Sequence, residues 1–267
     1  MTNIENKNII SSGFLFYSFP PHSTDIYILL GIDSYKNKWS DFGGCIHDQE
    51  NEKTCAVREM FEETMGVVKI YETTSKLMNP VKIKKMIQQK QYTFRIGVNV
   101  VPRSKMIQKN NNFKHYSSYN IKYPKTKTIV NDLSTKKNMR VCYVKYIPWQ
   151  PFIAERFRNV YLSLYKLHCR ETLPQKIAYY NSLPIFLKTH PAVNVLYKDQ
   201  EISDISVKTE WLEKKQIMWW SLPRLKQVLK NNGKYKHHLF RYGFLSTLQI
   251  ILNQFSKLMM VPEVMSI

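Results

Sequence analysis

The stretch FGGCIHDQENEKTCAVREMFEETMGVV, residues 42–68, constrains this chain more than any other. From about Asn51 to Met65 its pattern is helical. Ala56, Val57, Met60, Phe61 and Thr64 recur at spacings of three to four and make an apolar stripe. Asp48 or Asn51 can cap the start, and Gly66 stands where a helix C-terminal glycine is expected. On such a helix Glu59, Glu62 and Glu63 fall at i, i+3 and i+4, which is one face. Each exposed like-charged pair costs a few tenths of a kcal/mol. Within one turn Arg58 neutralises them only in part. A divalent cation is the economical compensation, and hard carboxylate oxygens select Mg²⁺ or Mn²⁺ over zinc. The plainer reading is a solvated acidic helix face. Against it stand Gly43 and Gly44, which close a short strand where backbone can approach a ligand, and Glu50, which follows at a fixed offset with Arg58 and Glu59 beginning eight residues after it.

The flanking pattern predicts strands and helices in alternation. SGFLFYSF (12–19) and DIYILLGI (25–32) are β-rich runs parted by a Pro-Pro turn. KWSDFGG reads as a short strand, and strands are also expected at 67–73, 91–100, 139–147 and 216–222. Residues 152–190 read as mainly helical, PRLKQVLKNN as a helix with Pro at its first turn, and the segment 239–258 as an amphipathic helix. The stretch 103–137, rich in Lys, Asn and Tyr, reads as a long loop or insertion. Strands that precede, enclose and follow helices predict an α/β fold with a mixed sheet. At 267 residues, one domain spanning 1–267 with a basic loop and helical insertion at about 103–200 is expected.

Forty Lys and Arg against twenty Asp and Glu give a formal charge of +20, a balance that favours polyanionic partners. Cys45, Cys55, Cys142 and Cys169 form no CxxC and no cluster with zinc spacing, so reduced thiols in a cytoplasmic setting are expected. The segment MTNIENKNII lacks the apolar core of a signal peptide, and no run approaches the ~18 apolar residues of a membrane helix.

The acidic stretch resembles the Nudix signature, G-x5-E-x7-R-E-U-x-E-E-x-G-U, where U is aliphatic. Gly44, Glu50, Arg58, Glu59, Met60, Glu62 and Glu63 fall in register. The ending departs from it, because Thr64 and Met65 together separate Glu63 from Gly66, one residue more than the signature has. A tryptophan before the two glycines and WWSLPRL (219–225) are similar to flanking features of the same family. The resemblance, with its box at 44–67, implies an α/β/α sandwich that hydrolyses nucleoside diphosphates linked to some group X. It implies Glu59, Glu62, Glu63 and the Gly43 carbonyl as Mg²⁺ or Mn²⁺ ligands, with Arg58 and Glu50 orienting them. It also implies a carboxylate base, either Glu63 within the box or a later residue. Counting back from Trp219 favours Glu213, with Glu210 and Glu201 as alternatives.

For the group X, the distribution of charge is informative. From Thr73 to Ala154 there are seventeen Lys and Arg and one acid, Asp132, and NNFKHYSSYNIKYPKTK interleaves them with three Tyr, one Phe and one His. A basic track with aromatics suits a nucleic-acid chain, phosphates meeting lysines and bases stacking on rings. In organisation the chain resembles the mRNA-decapping Nudix enzymes, including those of large DNA viruses, which act in the host cytoplasm. The expected reaction is cleavage of the cap triphosphate bridge of capped RNA to m7GDP and 5′-monophosphorylated RNA. Two alternatives stand beside it: a pyrophosphatase for dinucleoside polyphosphates or diphosphoinositol polyphosphates, and a non-catalytic RNA-binding protein on a Nudix scaffold. Trp149, Trp211, Trp219 and Trp220 are candidate stacking partners for a base, or core residues.

Overall fold

The computed structural model describes residues 9–23, 25–68, 93–99, 128–130, 139–231 and 236–259. One mixed sheet organises them. Its strands are β1 (Ile9–Ser18), β2 (Tyr27–Asp33), β3 (Trp39–Ser40), β4 (Phe42–Cys45), β5 (Thr93–Asn99), β6 (Thr128–Val130), β7 (Met139–Tyr146) and, late in the chain, Lys214–Ser221. A hairpin of β8 (Val193–Lys198) and β9 (Glu201–Val207) stands apart, which makes Lys214–Ser221 β10. The order is β10-β2-β1-β7-β5-β6, with β3 on β2 and β4 on β1. The β1–β7 and β5–β6 pairs are parallel and the others antiparallel. Strand β1 is central and is buried from Ser11 through Ser18, as expected where both faces of a sheet are covered.

The period-two alternation of strands divides the core. Phe14, Phe16, Leu29 and Ile217 face one side, where α1 (Glu52–Glu63) and α2 (Ile153–His168) supply Ala56, Met60, Phe157 and Leu164. Leu15, Tyr17, Ile28, Leu30 and Trp220 face the other. Chain order then adds α3 (Leu173–Ser182), α4 (Ile185–Lys188), α5 (Leu222–Asn231), α6 (Lys236–Leu239) and α7 (Tyr242–Met259). Leu225 of α5 and Phe244, Leu248, Ile251 and Phe255 of α7 close the second side. Helices cover both faces, so the molecule is an α/β/α sandwich, as the resemblance implies, on the mixed sheet that the alternation of elements predicts. Each large side chain so buried contributes about 1.5–3 kcal/mol.

Several expectations need correction. KWSDFGG is two strands rather than one, broken at Asp41. Residues 128–130 lie within the expected loop yet pair with β5. The rest of 103–137 lies outside the described residues, as do 69–73; Val67 and Val68 belong to no strand. The insertion is not helix and loop alone, for β8 and β9 form a two-residue hairpin. Asp199 and Gln200 both take positive φ, 49° and 69°, the pattern of a type I′ turn reached without glycine. Of the expected stripe on α1, Val57 and Phe61 are each 42% exposed, because Glu59 and Glu63 occupy the buried face with Cys55, Ala56 and Met60. All four cysteines are free thiols. No helix among the described residues is long and apolar enough to cross a membrane.

Candidate active site

Helix α1 is held at its start by Asn51, whose Oδ1 accepts from the Thr54 backbone N–H at 2.9 Å and its hydroxyl at 3.1 Å. Asp48 does not cap it. The end is a Schellman turn. Thr64 is the C-cap, the Met65 N–H donates to the Glu62 carbonyl at 3.0 Å, and the Gly66 N–H to the Phe61 carbonyl at 2.8 Å. The left-handed residue after the cap is Met65, φ 53°, and Gly66 follows it at φ 64°. The extra residue relative to the signature thus occupies the position that the helix-ending glycine fills in the shorter form. A left-handed methionine costs roughly 1–2 kcal/mol, offset by burial of its side chain at 2% exposure.

No basic residue stands in the last turn of α1, although Glu62 and Glu63 both do, against the helix dipole. Compensation comes from two cations. Arg58 grips Glu50 through two bonds, Nε to Oε1 at 2.7 Å and Nη2 to Oε2 at 3.0 Å. Its Nη1 donates to Glu59 at 2.8 Å and Glu62 at 3.0 Å, and Nη2 also reaches the Cys45 carbonyl at 3.0 Å. The Arg58 hydrogen bonds hold the Glu50 carboxyl down at about 2. Burial raises the pKa of Glu59 and of Glu62 in spite of the same guanidinium. The Glu59 carboxylate packs directly on Gly44, where a Cβ would overlap it.

The second cation is Lys214, fully buried on β10. Its Nζ donates to Asp33 at 2.5 Å and to the Ser40 hydroxyl at 2.6 Å, and lies 3.3 Å from Glu63 Oε1. Arg241 completes the group at 3.2 Å from Asp33. Glu63 is 1% exposed; its Oε2 accepts the Gly43 N–H at 2.6 Å, while its Oε1 finds no hydrogen bond. Burial pushes its carboxyl up to about 8, against the pull of the Lys214 ammonium. Beside it, Arg140 clamps Asp41 at 2.8 Å.

Of the sequence-derived candidates, Gly43, Glu50, Arg58, Glu59, Glu62 and Glu63 converge here. Glu213 is exposed and ends the 3₁₀ turn Thr209–Leu212, which packs on α1. Its charge acts on Glu59, and that of Glu210 acts on Glu62. Glu201 lies on the hairpin β8–β9. Trp211 and Trp220 are core residues, whereas Trp149 and Trp219 stack on each other, 5.1 Å apart and half-buried. The sequence reading missed Lys214, Asp33, Asp41 and Arg140. The first two meet only through the register that sets Lys214 opposite Asp33 next to an irregularity in β10, which no local pattern signals. Among the described residues, no group of three or more His, Cys, Asp or Glu side chains is placed so that it could hold a metal ion as it stands.

No family model matches the chain, and no curated protein matches it. Some solved structures are similar to the chain, at low identity and low TM-score. An Ap4A hydrolase of C. elegans shares 9% identity over 94% of this chain and 98% of its own, with a TM-score of 0.36. The NUDIX domain of Shewanella oneidensis NrtR, complexed with ADP ribose, shares 10% over 94% and 88%, TM-score 0.34. A MutT/nudix family protein from Enterococcus faecalis shares 12% over 54% and 39%, TM-score 0.28. At such identities what the chain does has to come from its own side chains.

Proposed function

We propose that this chain is a metal-dependent pyrophosphohydrolase of Nudix type whose substrate is capped RNA. The observation that carries the reading is Arg58. One guanidinium ties Glu50, Glu59 and Glu62 together while Glu63 is pinned to the Gly43 backbone, at the spacing of the Nudix signature. The donor set fits Mg²⁺ or Mn²⁺: it offers only hard oxygens, Glu63 keeps one buried oxygen without a hydrogen bond, and glycine at 44 leaves room for the Glu59 carboxylate. Glu59, Glu62, Glu63 and the Gly43 carbonyl would hold the ion. When bound it supplies charge neutralisation at the phosphates and polarises water.

The residues of the chain have separate tasks in this scheme. Arg58 and Glu50 fix the carboxylates of α1 against mutual repulsion. Glu63, enclosed and engaged by Gly43, anchors. A base has to reach solvent, and Glu213 is exposed at the end of the turn that packs on α1, so Glu213 takes the proton from the attacking water. RNA is favoured as the group X by the seventeen basic residues and single acid between Thr73 and Ala154.

The test is incubation of the protein with cap-labelled RNA and Mn²⁺. Release of m7GDP, competed by uncapped RNA in a salt-sensitive way, supports the reading. Turnover of dinucleoside or diphosphoinositol polyphosphates without m7GDP release would move the substrate to small polyphosphates. RNA binding with no turnover of any pyrophosphate would make the chain a binding scaffold.

A further inference from the structure

We infer that His190, Trp211 and Met65 form a brace by which the segment 190–213 positions Glu210 and Glu213 against the acid face of α1. This rests on the pyrophosphohydrolase reading and assigns His190 and Trp211 as positioning residues for it. The problem they solve is electrostatic. The turn Thr209–Leu212 packs on α1, carries Glu210 and is capped by Glu213, and their charges act on Glu62 and Glu59, so like charges repel. Something apolar or hydrogen-bonded has to hold that turn in place.

The contacts run in an unbroken chain. The His190 Nδ1 accepts the Ala192 N–H at 3.2 Å, which fixes the proton on Nε2, and Nε2 then donates to the Met65 carbonyl at 3.2 Å. The imidazole stands edge-on to Trp211, centroids 4.9 Å apart at 79°. Trp211, buried within the 3₁₀ turn, stands edge-on to Phe61 at 5.2 Å and 77°. Phe61 is the residue whose carbonyl closes the Schellman turn, and its ring lies over Gly66, where a Cβ would come within 3.0 Å. The carbonyl that His190 reaches belongs to Met65, the left-handed residue of the helix exit at which this chain departs from the signature. The lengthened helix exit and the segment 190–213 therefore fit each other: α1 and its exit offer a ring and a carbonyl, and the segment offers a donor and an indole.

The test uses the full chain. His190→Phe keeps the ring against Trp211 and removes the bond to Met65, while His190→Gln restores a donor. His190→Phe is expected to lower kcat about tenfold with KM little changed, and to weaken Mn²⁺ binding, read by electron paramagnetic resonance, by a similar factor. His190→Gln should recover most of both. In a Glu210→Gln background, which keeps Glu213, the His190→Phe effect on kcat and Mn²⁺ binding should shrink, because one of the two carboxylates that the brace holds against α1 has lost its charge. A folded His190→Phe protein with unchanged kcat and Mn²⁺ affinity, or fully additive effects in that background, overturns the brace. If the wild-type chain turns over no pyrophosphate, the reading of the site fails separately. Backbone hydrogen exchange then decides: joint acceleration at 65–68 and 209–213 in His190→Phe upholds the brace, and unchanged exchange overturns it.

Discussion

Glu50 and Glu63 stand at opposite ends of the acid cluster, and each faces a cation, yet the pairs behave in opposite ways. Glu50 meets Arg58 in a two-point fork near solvent, and its carboxyl is held down at about 2. Glu63 meets Lys214 inside the molecule, without a hydrogen bond, and its carboxyl is pushed up to about 8. The difference lies in desolvation, not in charge. A cation 3.3 Å away does not compensate a buried carboxylate whose oxygen lacks a donor, whereas a bidentate guanidinium at the surface does. One end is thereby set before any ligand arrives, and the other is left with an unmet need for positive charge.

The sharpest way to break the comparison is at Lys214. Among the described residues, Lys214→Met leaves the Asp33 side chain with the partly exposed Arg241 alone, and that of Glu63 with Gly43 alone. A loss of about 3–5 kcal/mol is expected in urea unfolding, the usual cost of removing one partner of a buried pair. Adding Glu63→Gln should return part of it, since the amide needs no counter-charge. A loss below about 1 kcal/mol for Lys214→Met would mean that the buried group behaves like a surface pair.

Arg58 tests the other end. Arg58→Lys preserves the charge but cannot span Glu50, Glu59 and Glu62 together. Turnover is expected to fall about 10–100-fold and stability by roughly 1–3 kcal/mol. Activity within a factor of two or so of wild type would show that the carboxylates hold their positions without the fork, and would leave Glu50 no orienting role.

These two ends were unequally legible in the sequence. The Arg58 end is local: Glu50, Arg58, Glu59 and Glu62 lie within one turn-and-helix unit, so spacing alone puts them together. The Lys214 end is built by sheet register across most of the chain, and Lys214 sits in a charged run, Glu213-Lys214-Lys215, that reads as exposed. Period misled in one place. Val57 and Phe61 look like core residues because they are apolar, but two acids hold the buried face of α1. The hairpin Val193–Val207 went unread for a similar reason, since its turn is Asp199-Gln200 rather than a glycine pair. The alternation of strands and helices, by contrast, survives such local errors, and the α/β fold with a mixed sheet followed from it, whereas the sandwich is an implication of the resemblance.

Without divalent cation the two ends should tilt the pH–stability curve in opposite directions. Glu63 has a folded pKa raised from 4.5 to about 8, so its contribution is fully present below pH 4.5 and is lost as pH rises toward 8. Glu50 has a folded pKa lowered from 4.5 to about 2, so its contribution is present above pH 4.5 and is lost as pH falls toward 2. Thermal melts of the metal-free chain should therefore decline on both sides. Glu63→Gln should flatten the alkaline side alone, and Glu50→Gln the acid side alone. If Glu63→Gln leaves the slope between pH 5 and 8 unaltered, Lys214 keeps Glu63 ionised and the contrast between the two ends is lost.

The smallest effect should come from Asn51, which caps α1 on the solvent side and touches neither cation. Asn51→Ala removes the acceptor for the Thr54 N–H and should cost about 1 kcal/mol, while Asn51→Asp should restore it. Because the cap lies at the start of the helix, turnover should change far less than in Arg58→Lys. Equal losses of activity in the two variants would mean that the acids are placed by the helix as a whole, not by the guanidinium that ties them.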